Sequence, residues 1–317
     1  MYNSTGATIR HDINTYVLQA ADTENLLIGQ KVLPPLQVPT KAGIYPKIKI
    51  AKGGLLREDS SERASDGSYN EVSRAVEQDT YACQDRGLVE RIDDAYATDM
   101  SRFFDANVTA AKLLLRNIMI GQEMRVASTV FNSSTFTTQN AAVGYTAGNL
   151  STIDFAEDIL TAIDYLTGVG QIPNTLVLNR GVFNLLRRSP KLQTYLFGNL
   201  PSGLQRIVQA QDIAGAFGLE QVLVADAKYD SSNAGQSSPN LNYIWSSDFV
   251  WLGKVAGGEF NAGGAGRITV WNADAPDLFV TETYRDEDRR SDMVRVRQNS
   301  DEKIVDETAG LLIVANP

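Results

Sequence analysis

Apolar and polar positions along this chain fall into three regimes. Ile44, Ile48 and Ile50 alternate with Tyr45, Lys47 and Lys49. Further on, Val72, Arg74, Val76 and Gln78 alternate with Glu71, Ser73, Ala75, Glu77 and Asp79. A period of two predicts strands, so residues 43–83 read as a long hairpin with a polar stretch from Glu58 to Asn70 between its arms. Ten residues of strand reach about 33 Å. A two-stranded ribbon of that length is not stable alone in water, and nothing nearby in the sequence offers it a surface. Between 103 and 130 the period becomes helical: Phe104, Val108, Ala111, Leu115, Ile118, Met119, Val126 and Val130 follow three-four spacing. They predict an amphipathic helix about 40 Å long, capped by Asp99 or Ser101 and ended at Asn132-Ser133-Ser134.

The third regime is mixed. After a Ser/Thr/Asn/Gly-rich loop over 132–152, Phe155, Ile159, Ile163 and Leu166 predict a helix from Asp154 to Leu166, with Ser151 and Asp154 as a capping pair. A short buried strand at Thr175–Leu178 follows, then a helix from Val182 to Arg188 closed by Pro190. Next come a helix from Ile207 to Phe217, a strand at Gln221–Ala225 and a loop over 228–240. Strand-like runs occur at Tyr243–Trp245, Phe249–Leu252, Ile268–Trp271, Leu278–Tyr284, Met293–Arg297 and Leu311–Val314. The fold class is therefore α+β. Residues 1–40 read as an arm: Ile13, Val17 and Ala20 suit a short helix, and Pro34, Pro35 and Pro39 favour extended chain.

Composition narrows the function. The chain has 317 residues, 43% of them apolar, which is enough to bury a sizeable core. With 29 basic against 38 acidic residues its net charge is −9, a poor balance for a free nucleic-acid binder. It has no apolar run long enough to predict a membrane span. His11 is the single histidine and Cys83 the single cysteine. That excludes a His-rich zinc motif, an internal disulfide and, for practical purposes, a Ser-His-Asp triad. Cys83 reads as a packing residue at the base of the hairpin. The glycine-rich run Gly257–Gly266 lacks the lysine of a phosphate loop and reads as a flexible loop. Ser300 and Lys303 fit S-x-x-K without its companion motifs. The sequence thus assigns no catalytic, cofactor-binding or metal residues, and the expected protein is not an enzyme.

One charged run stands out: Arg285, Asp286, Glu287, Asp288, Arg289, Arg290, Ser291, Asp292. Its bland reading is a solvated turn between strands. Its sharper reading, from the interleaved signs, is an ion-pairing loop between subunits.

The order of these elements resembles the shell fold shared by tailed-phage major capsid proteins, encapsulins and herpesvirus capsid floors. Two stretches carry the likeness best. Asn-Thr-Leu-Val-Leu-Asn-Arg-Gly-Val-Phe-Asn-Leu-Leu-Arg-Arg-Ser-Pro, from Asn174 to Pro190, is similar to the strand-helix unit of that fold's axial domain. Phe279 to Val296, with Thr281, Tyr284 and Met293, is similar to its returning strand pair. The resemblance implies an N-terminal arm (1–40) and an extended hairpin loop (41–84). It further implies a peripheral domain around the spine helix (85–172), an axial domain (173–276) and peripheral returning strands (277–317). The hairpin would lie over a neighbouring copy, so that Lys47, Lys49, Glu77 and Asp79 face either each other or that neighbour. The implied function is a major capsid protein that assembles through hexamers and pentamers into an icosahedral shell around double-stranded DNA. Its implied partners are itself, a separate scaffolding protein, a portal and, in some cases, a decoration protein. Contact with packaged DNA would be non-specific and no membrane is involved. The implied place is the virion capsid, assembled in the host bacterial cytoplasm. The alternative within the same fold is an encapsulin-type compartment carrying enzyme cargo.

Overall fold

A computed structural model describes residues 8–9, 26–47, 61–63, 65–71, 77–101, 105–198, 206–233, 235–236, 238–274 and 277–316. The expected helix around Ile13 and Val17, His11, Lys49 and the Val72–Val76 part of the hairpin lie outside these residues.

In chain order the first half runs β1 (Thr8–Ile9), α1 (Gly29–Val32), β2 (Pro35–Val38), β3 (Ala42–Lys47), β4 (Glu77–Ala82), β5 (Gln84–Asp93), α2 (Asp94–Met100) and α3 (Ala106–Val130). It continues through β6 (Thr137–Asn140), α4 (Phe155–Gly168), β7 (Thr175–Asn179), α5 (Arg180–Leu186), α6 (Pro190–Phe197), α7 (Ala210–Phe217) and β8 (Gln221–Ala225). The last stretch holds β9 (Lys228–Asp230), β10 (Leu241–Tyr243), β11 (Phe249–Gly253), β12 (Gly266–Trp271), β13 (Val280–Asp286), β14 (Ser291–Ile304) and β15 (Gly310–Val314).

The spine helix α3 has 25 residues. Its cap is neither Asp99 nor Ser101, which belong to the short α2 and its end. Asp105 caps it instead: Oδ1 accepts from the Asn107 and Val108 amides at 2.9 and 3.3 Å. Likewise Asp154 alone caps α4, accepting from the Glu157 amide, and Pro190 opens α6 at a position where its missing N–H costs nothing. The buried face of α3 begins apolar, with Ala111, Leu114, Leu115 and Ile118 packed on Ile92, Phe279, Val294 and Val296. It then turns polar at Gln122 and Glu123 before Val126, Ala127 and Val130 join a second core.

Two main sheets lie around this helix. In the larger, the 14-residue β14 pairs antiparallel with β13 and β12 on one edge and with β5 on the other. β1 extends it beyond β13 and β2, in parallel, beyond β12. The smaller sheet has the order β6-β15-β11-β7-β8. Alternation along its strands feeds two cores at once. Leu176, Leu178, Val250, Leu252, Leu311 and Ile313 face α4 to α7, while Val177, Trp251 and Leu312 face the end of α3. β3 pairs with β4 as a separate ribbon and β9 with β10 as a small hairpin.

The sheets divide the chain differently from the sequence ranges. α4 and β6, expected in the peripheral domain, belong with the five-stranded sheet, and so does β15, expected among the returning strands. β12, expected in the axial domain, pairs with β14. The glycine-rich run is also corrected. It wraps the fully buried Arg267, whose guanidinium donates to the carbonyls of Gly258, Glu259, Gly263 and Gly266 at 2.6–3.4 Å. Carbonyl oxygens satisfy the buried cation there in place of a carboxylate.

Candidate assembly surface

The ribbon β3–β4 leaves the body of the subunit from a small core of its own. Tyr45, Tyr81 and Cys83 pack with Val38 and Val305, and the Tyr45 ring stacks on Phe260 at 4.6 Å. The Tyr45 hydroxyl donates to the Ile304 carbonyl at 3.0 Å and to Asp79 at 3.3 Å. Burial, with Asp79 alongside, pushes this phenol well above its usual range. Cys83 is buried, as a packing residue should be. Lys47 Nζ sits 2.9 Å from Asp79 and 3.5 Å from Glu307. Of the four expected contact residues, Lys47 and Asp79 therefore face each other and tie the ribbon base to its own subunit. The Lys47 ammonium holds the Asp79 carboxyl below its usual pKa. Glu77 lies opposite Lys47 in the strand register, and Lys49 lies outside the described residues. Ile44 on the same ribbon is 67% exposed.

The charged run is the turn between β13 and β14. It has no glycine or asparagine, and Arg290 takes the left-handed conformation, φ +47°, that such a residue would normally supply. Part of the run is spent at home, against the expectation that it acts only between subunits. Arg285 grips Asp94 with two bonds of 2.5 and 2.7 Å and also reaches Asp292 at 3.1 Å. Arg289 lies 3.8 Å from Asp286. Asp94 is 191 residues from Arg285 in sequence, so no local pattern could have matched them. Asp288 and Arg290 make no ion pair among the described residues.

Two further polar centres were not foreseen. On the face of the large sheet away from α3, Glu282 accepts from Arg295 and Arg297, and Arg297 also grips Asp274 at 2.5 Å. Burial alone would raise the Glu282 pKa, but the two guanidiniums hold it below the usual carboxylate range. The other centre is Glu123, buried in the middle of α3. It accepts from the amides of Ile28 and Gly29 at 3.0 and 2.8 Å and from the Trp245 indole at 2.6 Å. A Cβ on residue 29 would lie 2.7 Å from the Glu123 carboxylate, so any side chain there would push that carboxylate off its donors. This carboxylate joins the arm segment around α1, the spine helix and the loop before β11. Burial pushes its pKa up against the pull of three donors.

No protein-family model matches the chain. In sequence it is similar to the major capsid protein of Pseudomonas phage JBD67, 27% identical over 240 residues, 73% of each chain. It is also similar to that of the Burkholderia phage BcepMu, 23% identical over 229 residues, 70% of this chain and 69% of the other. In structure it matches a phage-related protein of Bordetella bronchiseptica RB50 with a TM-score of 0.71 at 18% identity, over 97% of both chains. The capsid of the cyanophage P-SCSP1u matches with a TM-score of 0.59 at 10% identity, over 92% of this chain and 89% of the other. A virus-like particle from Pyrococcus furiosus matches with a TM-score of 0.57 at 10% identity, over 95% and 97%. The chain therefore has the shell fold of phage capsid proteins and is similar in sequence to phage major capsid proteins.

Proposed function

We propose that this chain is the major capsid protein of a tailed phage, which assembles through hexamers and pentamers into an icosahedral shell around double-stranded DNA. The observation that carries the reading is the coincidence of two likenesses: sequence similarity to phage major capsid proteins over 73% of the chain and a shell fold over almost all of it. An encapsulin-type cargo compartment uses the same fold but is not favoured, because the sequence relatives are phage capsid proteins. The role is structural. The place is the virion capsid, with assembly in the host cytoplasm. Scaffolding protein, portal and a decoration protein are partners that such a shell calls for. The net charge of −9 suits a subunit that touches packaged DNA without holding it. Purified protein at high concentration should form rings or closed shells in negative-stain micrographs. Strictly monomeric protein in light scattering at the same concentration would overturn the reading.

Within this function the turn from Asp286 to Arg290 meets its copies near a local symmetry axis, where Asp288 and Arg290 find opposite charges. Exposed pairs contribute only about 0.2–1 kcal/mol each, but a shell repeats them many times. Reversing Arg289 and Arg290 to Glu should leave the subunit's melting temperature within a few degrees of wild type, since one long pair to Asp286 is lost. It should lower shell yield, and added salt should restore part of that yield by screening the new repulsion. A sharp fall in melting temperature with normal assembly would make the turn an internal fastener.

A further inference from the structure

The large sheet ends in an open edge. Residues 291–297 of β14 pair with β13 on one side and with β5 on the other, so β5 is the outermost strand there. Among the described residues no strand pairs with its far edge. The edge is ten residues long, with Leu88 43% and Val89 49% exposed at its middle. Long exposed edges are normally blunted by proline, bulges or scattered charge, because their unpaired amides and carbonyls recruit other strands. β5 has no proline, and its charges are ordered. The run Asp85, Arg86, Gly87, Leu88, Val89, Glu90, Arg91 reads minus, plus, three uncharged residues, minus, plus.

We propose that β5 is a contact between two copies of this chain, in which the strand pairs antiparallel with itself about Leu88 across a two-fold axis. In that register Leu88 stands opposite Leu88, Arg86 opposite Glu90, and Asp85 opposite Arg91. The two-fold repeats both ion pairs, giving four in all. Neighbouring registers set like charges opposite each other or, for a slip of two toward the N-terminus, leave all four charges facing uncharged residues. A slip of one residue sets Arg86 against Arg91 in one direction and Asp85 against Glu90 in the other. A slip of two toward the C-terminus sets Asp85 against Asp93. Parallel, in-register pairing puts every charge against its like. Like charges directly opposite on adjacent strands are destabilising, so one arrangement alone satisfies all four positions.

The charges are available for this use. Asp85, Glu90 and Arg91 make no ion pair within the subunit among the described residues. Most other charges on this sheet, Glu282, Arg295, Arg297, Arg285 and Glu302, are paired. Arg86 is bound within the subunit, its guanidinium donating to the Ser300 carbonyl of β14 at 3.0 Å and to the Gln84 side chain at 2.8 Å, and it exchanges these partners for Glu90 of the second copy on pairing. A two-stranded contact is far smaller than a stable free dimer needs. It forms where other contacts already hold the copies together. The proposal therefore rests on the self-assembly reading above.

The test is a cross-link in assembled particles. Directly opposite residues in antiparallel strands have Cβ atoms about 4.5–5.5 Å apart, near the reach of a disulfide. Leu88→Cys particles treated with a mild oxidant should yield a disulfide-linked dimer. Val89→Cys particles should yield about fivefold less, because Val89 faces Gly87 and not itself. Wild-type protein, whose Cys83 is buried, is the blank. Adding Asp85→Arg to Leu88→Cys sets Arg against Arg91 and should cut the dimer yield about threefold or more. Adding Arg91→Asp as well should restore it. Particles that form normally but give no more dimer through residue 88 than through residue 89 overturn the pairing and leave the shell function standing. If wild-type protein forms no particles, the shell function falls. The pairing, which needs other contacts to hold the copies together, then falls with it.

Discussion

Leu115→Asp is expected to leave no folded subunit. Leu115 is 2% exposed, midway along α3, against the core formed with Ile92, Phe279, Val294 and Val296. Removing a buried leucine side chain costs about 2–5 kcal/mol. The carboxylate put in its place finds no cation in that cluster, and its desolvation costs several kcal/mol more. Together these approach or exceed the whole stability of an ordinary domain, about 5–15 kcal/mol. Loss of soluble protein, or loss of the cooperative melt in circular dichroism, is the expected result. Leu113→Asp is the matched control. Leu113 sits two residues away on the same helix but is 55% exposed, and its replacement should change stability by no more than about 0.5 kcal/mol. A soluble Leu115→Asp variant that melts normally would mean that α3 does not bury this face.

The second large effect is expected at Glu123. In Glu123→Ala the amides of Ile28 and Gly29 and the Trp245 indole lose their acceptor together. Each buried donor left unsatisfied costs about 1–3 kcal/mol, so the variant should lose on the order of 3 kcal/mol or more. Glu123→Gln keeps the shape but turns one acceptor into a donor that faces another donor, and should fall between. The wild-type site also has a pH signature. Its folded pKa is raised by burial, so between the ordinary carboxylate value and the raised one the folded state holds more proton than the unfolded state. Stability from this site is then fullest below the ordinary value and falls as pH rises through the raised one. Denaturant melts across that window should show this slope in wild type and not in Glu123→Gln. Identical slopes in both would mean that Glu123 titrates like an exposed glutamate.

Elements with a periodic or an unbroken apolar pattern were legible in the sequence: α3 and α4 by their helical period, β7 and β11 by their short buried runs, all within a few residues of their expected places. β5 was not. It is exposed on both faces except at the half-buried Arg86 and the buried Ile92, so its residues never had to alternate. Caps were misplaced by a few residues because several acidic and hydroxyl side chains compete near each helix start. Sheet membership was illegible for a different reason. β15 and β6 pair in parallel although about 170 residues separate them, and nothing local marks that choice. The charged turn was located correctly, but the partner of Arg285 was out of sight at Asp94. Glu123 looked like one more polar residue on a helix, because its ligands are two backbone amides and an indole from distant segments.

The place of β15 has a consequence for the timing of synthesis. It lies between β6 and β11, in the interior of the five-stranded sheet, yet every other strand of that sheet precedes it in the chain. Until residues 310–314 have been made and released, β6 has no neighbour and β11 has an open edge toward the gap. Leu311, Leu312 and Ile313, all buried, are missing from both cores that the sheet separates. Chains generally fold as they emerge, N-terminal parts first. Here the earlier strands of the sheet wait on one made after all of them. A chain in which β15 has not yet emerged lacks the finished five-stranded sheet on which both cores rest.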